Sequence, residues 1–395
     1  MNDMRITATI MTSEESFHNN YGAALQGYAI YSVIHDLGIY PTIVRYQGGQ
    51  FQNSSAKYYL FQAKRRLGVV VHRMLPSHAE KESRLLKKEN AEAIKKREEL
   101  FSAFQNEMMS FYNIRRMTWQ QLKKHYPLTD VYICGSDQIW NPYFKNGRND
   151  PGYFLAFAPK GAKKIAYAPS FGCDDLPDSA KANLKELLSD FHAISVREQS
   201  GVEIVKKYAD RVAQWVLDPT MLRKPEQWKQ LSRLPSNLPE KYILSYRFAD
   251  SGKTKRMLDQ LSEATGLPVI TLPLSIVAMK DNYQAIFEAG PREFIGMIEH
   301  ASLVCTDSFH ATVFSILMKT PVCVFLRESY DGKSSMNSRV YSLLEMLNLQ
   351  NNIMNADATV AKALKCLGTD YTSAHELLAD YRKESLEYLK NALEG

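Results

Sequence analysis

The sequence predicts an α/β protein built on parallel sheets, because short apolar runs alternate with polar turns and with stretches of helical periodicity along most of the chain. After the first run, apolar side chains recur at helical spacing until Gly38, where we expect the helix to end. The runs expected to form strands are Ile6–Met11, Val131–Cys134, Ile165–Ala168, Ile194–Val196, Trp215–Leu217, Tyr242–Tyr246, Val269–Leu272, Leu303–Thr306 and Val322–Leu326.

The length of 395 residues predicts two domains, since one hydrophobic core rarely organises so long a chain. Two prolines, Pro219 and Pro225, punctuate the chain between the two series of predicted strands, so we place the boundary beside them. The expected units are Rossmann-like domains at residues 1–224, with a basic helical insertion at about 57–125, and at residues 225–373, followed by a closing helix at 374–395 that packs back on the first domain.

Composition places the chain among ordinary globular proteins, with 45% hydrophobic and 23% charged residues. Its five cysteines are scattered without a CxxC spacing, so we expect reduced, structural thiols. The first residues do not resemble a signal peptide, and no run of about 18 apolar residues occurs. These observations predict a soluble protein of the cytoplasm.

The net charge of +6 originates in one segment. Residues 57–97 contain 12 Lys and Arg residues against 4 Glu residues, so the remainder of the chain is slightly acidic. Because apolar residues are interspersed, the segment is suited to peripheral contact with the inner face of a membrane or with a charged glycan carrier. A solvated helical hairpin with charged outer faces is the alternative. Nucleic acid is not an expected partner, since no known binding module is present.

Ligands of open parallel sheets bind beyond the carboxyl ends of the strands, and the residues at those positions are unusually polar in this sequence. Ser308 is placed to cap a helix whose first turn contains His310, so backbone N–H groups and an imidazole would meet an anion there. A structural role for both residues is the alternative. Arg197 ends a buried strand, where a guanidinium is costly unless it meets a substrate anion or a neighbouring carboxylate such as Asp218.

A second polar segment follows the strand that ends at Cys134. Ser136, Asp137 and Gln138 supply a hydroxyl, a carboxylate and an amide, which suit the binding of sugar hydroxyls. Trp140 either stacks on a sugar ring or belongs to the core. No Walker A loop, GxSxG elbow or HExxH motif occurs, and the histidines and cysteines show no metal-ligand spacing. A metal is therefore not expected.

Five of these segments together resemble the polysaccharide pyruvyl transferase family, and they occur in order across roughly residues 5–350. The segments are Asn20–Gln26, Gly135–Pro142, Ser195–Ser200, Leu217–Thr220 and Asp307–Ala311. The resemblance implies two Rossmann-like domains in a GT-B-like arrangement, with the active site in the interdomain cleft. It also implies transfer of pyruvate from phosphoenolpyruvate to two hydroxyls of a sugar of a cell-surface polysaccharide or its lipid-linked precursor, as a cyclic ketal, with release of phosphate. No cofactor is expected besides this donor substrate.

The resemblance also gives the polar residues expected roles, because a donor with a carboxylate and a phosphate needs guanidinium and helix-end contacts. His310 is expected to transfer protons, and Arg197, the second catalytic candidate, to contact the anionic donor. The donor-binding candidates are Ser308, Arg339, Asn20 and Gly22. The acceptor-binding candidates are Ser136, Asp137, Gln138 and Trp140.

One position departs from the family pattern, since many members have arginine where this chain has Ser308. A guanidinium must then come from elsewhere, and the candidates are Arg197, Arg247, Arg327 and Arg339. The polar stretch 330–339 is expected to close over the donor, or else to be a surface connection. Two other functions remain open at this point. A GT-B-type glycosyltransferase would use a nucleotide sugar on the same architecture, and a carbohydrate-binding protein would bind without turnover.

Overall fold

The computed structural model describes residues 6–18, 20–49, 85–113, 115–249, 252–273, 281–327 and 337–395. Two six-stranded sheets organise these residues, and their strand orders are β2-β1-β3-β4-β5-β6 and β12-β11-β10-β7-β8-β9. The first sheet comprises β1 (Thr7–Met11), β2 (Tyr40–Ile43), β3 (Val131–Cys134), β4 (Lys163–Ala166), β5 (Ala193–Val196) and β6 (Gln214–Trp215). The second comprises β7 (Ile243–Tyr246), β8 (Val269–Thr271), β9 (Gln284–Ala285), β10 (Leu303–Thr306), β11 (Val322–Phe325) and β12 (Ile353–Met354).

Neighbouring strands of both sheets pair in parallel, which requires a crossover between successive strands. Most of the crossovers are helical, and an α/β fold results. The helices are α1 (Tyr21–Asp36), α2 (Ala91–Met108), α3 (Trp119–Lys124), α4 (Asp178–Leu188), α5 (Gln199–Ala209), α6 (Pro219–Leu222), α7 (Pro225–Lys229), α8 (Gly252–Thr265), α9 (Pro291–Glu299), α10 (Phe309–Met318), α11 (Ser338–Met346), α12 (Val360–Lys365) and α13 (Thr372–Glu394).

The predicted α/β class is confirmed, and each predicted strand occurs with its ends displaced by two residues at most. These strands read as continuous apolar runs because helices cover both faces of a parallel sheet, and β3, β10 and β11 are buried at every position. The short strands β2, β9 and β12, which lie at the sheet edges, were not predicted.

The two sheets share one apolar core, which contains residues of both, such as Ile133 and Val304. Tyr21 on α1 is the central contact between them. Its ring stacks on Phe294 of α9 with centroids 4.7 Å apart, and its hydroxyl donates to the Ala289 carbonyl at 2.8 Å. Helix α2 adds a second link, since the Arg97 Nη1 donates to the Pro273 carbonyl at 3.0 Å. The halves are thus packed together over part of their facing surfaces.

The closing helix α13 contacts elements of both sheets. Its Tyr388 hydroxyl donates to the carbonyl of Ala166 at 3.1 Å, and its Ser385 hydroxyl accepts from the Leu217 amide at 3.0 Å. Toward its start, His375 lies 2.8 Å from the Ile316 carbonyl through Nε2. The sheets divide between residues 215 and 243, while the exact domain limits stay a prediction.

Two predicted segments fall mainly outside the described residues. These are the basic segment 57–97, described from residue 85 onward, and the loop 330–339, described from residue 337 onward. Within the part of the chain that the structure describes, none of the helices is both long and apolar enough to cross a membrane. All five cysteines are buried and free of disulfide bonds.

Candidate active site

A cavity of about 380 Å³ lies between the carboxyl ends of the two sheets, where the fold class locates ligand binding. Both halves contribute to its wall. The first half supplies Ser13, Ser16, Asn20, Asp137, Gln138, Ile139, Phe144, Lys145 and Tyr153. The second half supplies Phe248, Ser308, Phe309, His310, Arg327 and Arg339. Thus the two halves enclose one cavity despite the apolar packing around Tyr21.

The turn from β10 into α10 places His310 at this cavity. Thr306 ends the strand, and its hydroxyl donates to the Tyr246 carbonyl at 2.6 Å and accepts from the Ser308 amide at 3.0 Å. Ser308 then caps α10, because its hydroxyl accepts from the Ala311 amide at 3.4 Å. The cap predicted from the sequence is therefore present, and His310 lies in the first helical turn. A position at the start of a helix suggests an exposed residue, but His310 is only 7% exposed.

Asp218 joins His310 to the first half of the protein. Its Oδ2 lies 3.5 Å from the Nε2 of His310, and it accepts from Nη1 of Arg197 at 2.7 Å and from the hydroxyl of Ser136 at 3.2 Å. Its Oδ1 caps α6 by accepting from the amide and hydroxyl of Thr220, at 3.0 and 2.7 Å. Burial alone would raise the pKa of the Asp218 carboxyl, but His310 and Arg197 outweigh burial and hold that pKa well below its usual value. Asp218 is therefore a buried carboxylate.

Arg197 lies behind the cavity wall rather than in it. The side chain is 1% exposed, is paired with Asp218 and lies 4.4 Å from the centroid of the Phe309 ring. Burial alone would lower its pKa, yet Asp218, Asp137 and Glu198 outweigh burial and raise it. The prediction that Arg197 meets the substrate is therefore corrected, since the alternative, a salt bridge to Asp218, is what the structure contains. Arg197 and His310 are nevertheless close together, because both lie against Oδ2 of Asp218.

Gly22 has a different role from the predicted donor contact. It lies in the first turn of α1, buried against the imidazole of His310, and it does not line the cavity. A Cβ atom at this position would stand 2.2 Å from the Nδ1 and 2.5 Å from the Cγ of His310. Glycine is thus needed for close approach between α1 and α10. Asn20 does line the cavity, and its side chain caps α1 by accepting from the Ala23 amide at 3.2 Å.

Arginines of the second half supply most of the positive charge in the cavity wall. Arg327 is paired with Asp307 at 3.2 Å and lies over the Phe248 ring at 4.7 Å from its centroid. Arg339, in the first turn of α11, is buried, and burial, with the like charges of Arg197 and Arg327, lowers its pKa to about 9. Arg247 does not line the cavity and is bound to Asp281.

The residue that begins α11 is fixed to the end of β11. Asn337 accepts from the Arg327 amide at 3.0 Å and donates to the Arg327 carbonyl at 2.8 Å. This pair of hydrogen bonds places Arg339 and Arg327 on adjacent parts of the wall. Of the four arginines considered to replace the family arginine at Ser308, these two reach the cavity.

Two of the acceptor candidates do reach the cavity and two do not. Asp137 and Gln138 line it, with Asp137 in a left-handed conformation at φ 67°. Ser136 is fully buried and its hydroxyl donates to Asp218, so its predicted contact with the acceptor is corrected. Trp140 is 1% exposed, stacks on Phe154 at 4.8 Å and donates from Nε1 to the Tyr153 carbonyl. Its predicted stacking on a sugar is therefore also corrected, and the core role is the one observed.

Other residues of the cavity wall were not singled out by the sequence analysis. The most prominent are Phe144 and Lys145, on a 3₁₀ turn over Pro142–Lys145 that follows the Asp137 segment. An exposed aromatic two residues after a proline carries no periodic signal, and only its nearness to the polar segment could have suggested it. Among the residues that the structure describes, no group of three or more His, Cys, Asp or Glu side chains could hold a metal ion.

The fold and this cavity define an enzyme-like α/β protein of two Rossmann-like halves in a GT-B-like arrangement. The family model for polysaccharide pyruvyl transferase matches residues 20–329, and the chain belongs to this family, which confirms the resemblance drawn from the sequence. No curated protein gives a significant match to the chain.

Solved structures agree on the architecture. An S. aureus MnaA co-structure with UDP matches with a TM-score of 0.50 at 12% identity, over 95% of this chain and 91% of that one. UDP-GlcNAc 2-epimerase from Neisseria meningitidis, bound to UDP-GlcNAc, matches with a TM-score of 0.49 at 10% identity, over 99% of both chains. At such identities the likeness concerns the fold alone, and the GT-B-like assignment draws on the first of the two.

The contact between Gly22 and His310 predicts that Gly22→Ala is damaging. The added methyl group must displace the imidazole or the first turn of α1, and overpacking of this kind costs about 1–3 kcal/mol of unfolding free energy. We expect a lower melting temperature and a loss of transferase activity larger than the loss of folded protein. Gly252→Ala is the matched control, because a Cβ there meets nothing nearer than 3.7 Å, and it should leave both quantities unchanged. Wild-type behaviour of Gly22→Ala would contradict the observed packing.

The buried pair of Asp218 and Arg197 predicts a large effect for Asp218→Asn. Removing one partner of a buried ion pair costs about 3–5 kcal/mol of unfolding free energy. Because the folded-state pKa of Asp218 is lowered, its contribution is complete above the unfolded pKa of about 4 and is lost as the pH falls below it. Chemical denaturation should therefore show a gap between wild type and variant at pH 7 that narrows below pH of about 4. Asp174→Asn, at an exposed position, should show no gap at either pH.

Proposed function

We propose that this protein transfers pyruvate from phosphoenolpyruvate to two hydroxyls of a saccharide, forming a cyclic ketal and releasing phosphate. Membership of the polysaccharide pyruvyl transferase family supports the reaction class. The observation that carries the donor assignment is the like-charged pair of Arg327 and Arg339 beside the capped start of α10. A small molecule with both a carboxylate and a phosphate is the chemistry that such a wall would bind.

Electrostatics supports an anionic donor on the side of the second half. Burial and the neighbouring cations Arg197 and Arg327 lower the pKa of Arg339 to about 9, so the guanidinium still carries its charge near neutral pH and a bound anion would stabilise that charge further. The amide groups at the start of α10 add partial positive charge to the same region. The donor is therefore expected to lie against Arg339, Arg327 and the Ser308 cap.

The reaction requires one proton to be given to the donor and two to be taken from the acceptor hydroxyls, and we assign these transfers to His310, which lines the cavity. The methylene carbon of the donor gains a proton to become a methyl group, which leaves an oxocarbenium-like centre at the neighbouring carbon. The first sugar hydroxyl bonds to that centre and gives up its proton. The bond between the centre and the phosphate oxygen then breaks, the second hydroxyl bonds in its place, and the second proton leaves with phosphate. Imidazole is suited to both giving and taking protons near neutral pH.

Asp218 would act on His310 as a positioning residue. The carboxylate faces Nε2 of the imidazole and compensates the positive charge that the ring carries when it holds the proton. Gly22 packs along the Nδ1, Cγ and Cβ side of the imidazole, so the ring is held between α1 and Asp218. Nδ1 is the nitrogen we propose for the proton transfers, because Nε2 is buried. Such support on both sides keeps the imidazole in one orientation relative to the donor.

The proposal is tested by measuring phosphate released from phosphoenolpyruvate in the presence of saccharide acceptors, together with the mass of the saccharide product. We expect release only when both substrates are present, and a product heavier than the acceptor by pyruvate less one water. His310→Ala should abolish release, and its circular dichroism spectrum should match that of the wild type. Release of a nucleoside diphosphate from a nucleotide sugar, without release of phosphate from phosphoenolpyruvate, would replace this function by glycosyl transfer.

Donor binding predicts a selective effect for Arg339→Gln. The KM for phosphoenolpyruvate should rise by about tenfold or more, the equivalent of at least about 1.4 kcal/mol of lost binding. The KM for the saccharide should change by about twofold at most. Arg247→Gln is the matched control for a buried arginine of the same half, since Arg247 lies outside the cavity wall. An unchanged donor KM in Arg339→Gln would remove this residue from the donor site.

A further inference from the structure

We propose that Phe144 is the platform on which a pyranose ring of the acceptor rests, with Asp137 and Gln138 binding its hydroxyls. The inference rests on the proposed function, because it names the acceptor side of the same cavity. It replaces Trp140, whose ring is buried against Phe154, by an aromatic residue that does reach the cavity. The class of ligand is a six-membered sugar that presents two free hydroxyls toward the second half.

The first observation is the division of chemistry within the cavity wall. The second half contributes the imidazole and the two arginines, which are the groups that a charged donor needs. The first half contributes the ring of Phe144 at the rim, a carboxylate and an amide side by side, hydroxyl groups and the single ammonium of Lys145. Sugar sites combine an apolar surface for the C–H face of the ring with hydrogen-bonding groups for its hydroxyls. The acceptor is therefore expected to lie against the first half.

Exposure of Phe144 is the second observation. The residue is 54% exposed although it belongs to the wall of a cavity, whereas Trp140, Phe154 and Phe171 of the same half are buried. Leaving a phenyl ring in water forgoes about 1.5–3 kcal/mol of burial free energy. A ring placed at the rim of a polar cavity can recover part of this energy by covering a ligand.

The third observation is that the ring is attached to a well-fixed turn. Asn141 caps the 3₁₀ turn by accepting from the Tyr143 amide at 3.0 Å, and its Nδ2 donates to Oε1 of Gln138 at 2.9 Å. The turn closes with a hydrogen bond from the Gly147 amide to the Pro142 carbonyl at 2.8 Å. Gln138 and the Phe144 turn are thus parts of one hydrogen-bonded unit. A platform held in this way loses little conformational entropy when it binds a ligand.

Asp137 gives the site its direction. Its carboxylate lies 3.7 Å from Nη2 of Arg197, at the inner end of the wall, whereas Phe144 lies at the rim. An ionised carboxylate accepts hydrogen bonds only, so it would orient hydroxyl protons and leave the hydroxyl oxygens directed at the donor. A sugar resting on Phe144 with its diol beside Asp137 would present that diol toward His310 across the cavity. This arrangement predicts that the acceptor is positioned by its ring and by its diol at separate points.

The test compares Phe144→Ala and Phe144→Trp with the control Tyr143→Ala. Tyr143 is an aromatic residue of the same turn that is 38% exposed but lies outside the cavity wall. For Phe144→Ala we expect the KM for the saccharide to rise by about tenfold, with the KM for phosphoenolpyruvate within about twofold of wild type. Phe144→Trp should keep a saccharide KM near that of the wild type, and Tyr143→Ala should match the wild type in both constants. Equal effects of Phe144→Ala on both KM values, or no effect on either, would overturn the proposal.

A binding measurement keeps the result separate from the proposed reaction. Methyl glycosides of glucose, galactose, mannose and N-acetylglucosamine are titrated into the wild type and followed by saturation-transfer NMR. Saturable binding to the wild type that is lost in Phe144→Ala supports the platform even if no phosphate is released from phosphoenolpyruvate, in which case only the donor chemistry fails. Absence of binding by all four glycosides, or equal binding by wild type and Phe144→Ala, overturns the platform whatever the donor proves to be.

Discussion

The carboxylate of Asp218 is the group on which the candidate site depends. Its Oδ2 accepts hydrogen bonds from Arg197 and Ser136 of the first half and faces His310 of the second half. Its Oδ1 caps α6. A buried carboxylate without these partners would lower the free energy of unfolding, and so would the buried guanidinium of Arg197 without the carboxylate. The buried charges of Asp218 and Arg197 therefore compensate each other. The imidazole of His310 lies between this carboxylate and Gly22 of α1.

The two halves of the cavity carry different chemistry because they come from different sheets. Strands β10 and β11 lead into Asp307, Ser308 and Arg327, so the second half presents cations and a helix start. Strand β3 leads into a segment whose groups at the cavity include a carboxylate, an amide, a phenyl ring and an ammonium. The proposed reaction, between an anionic donor and a neutral polyhydroxyl acceptor, would use this asymmetry. If the site were built at the edge of one sheet only, the same few loop residues would have to supply both the cationic groups and the sugar-binding groups.

The sequence was informative where local rules decide the outcome. Buried strands read as apolar runs, and the Ser308 cap follows from a hydroxyl that precedes a helical period. It failed where distant packing decides. Trp140 is covered by Phe154 and Phe171, which belong to other segments, so no local pattern shows that its ring is inaccessible. For the same reason the meeting of Asp218 with His310 could not be deduced, although the salt bridge from Arg197 could be stated as an alternative.

The position of Tyr21 has a consequence for how the protein exchanges its ligands. The neighbouring residue in the chain, Asn20, lines the cavity, while the Tyr21 ring is stacked and hydrogen-bonded inside the second half. Opening the cavity by moving the two halves apart would remove this ring from its packing. The free-energy cost would be comparable to that of deleting a buried aromatic side chain, about 3–5 kcal/mol. Passage through the rim beside Phe144 requires no such separation. We therefore expect substrates and products to enter and leave there while the two halves stay packed together.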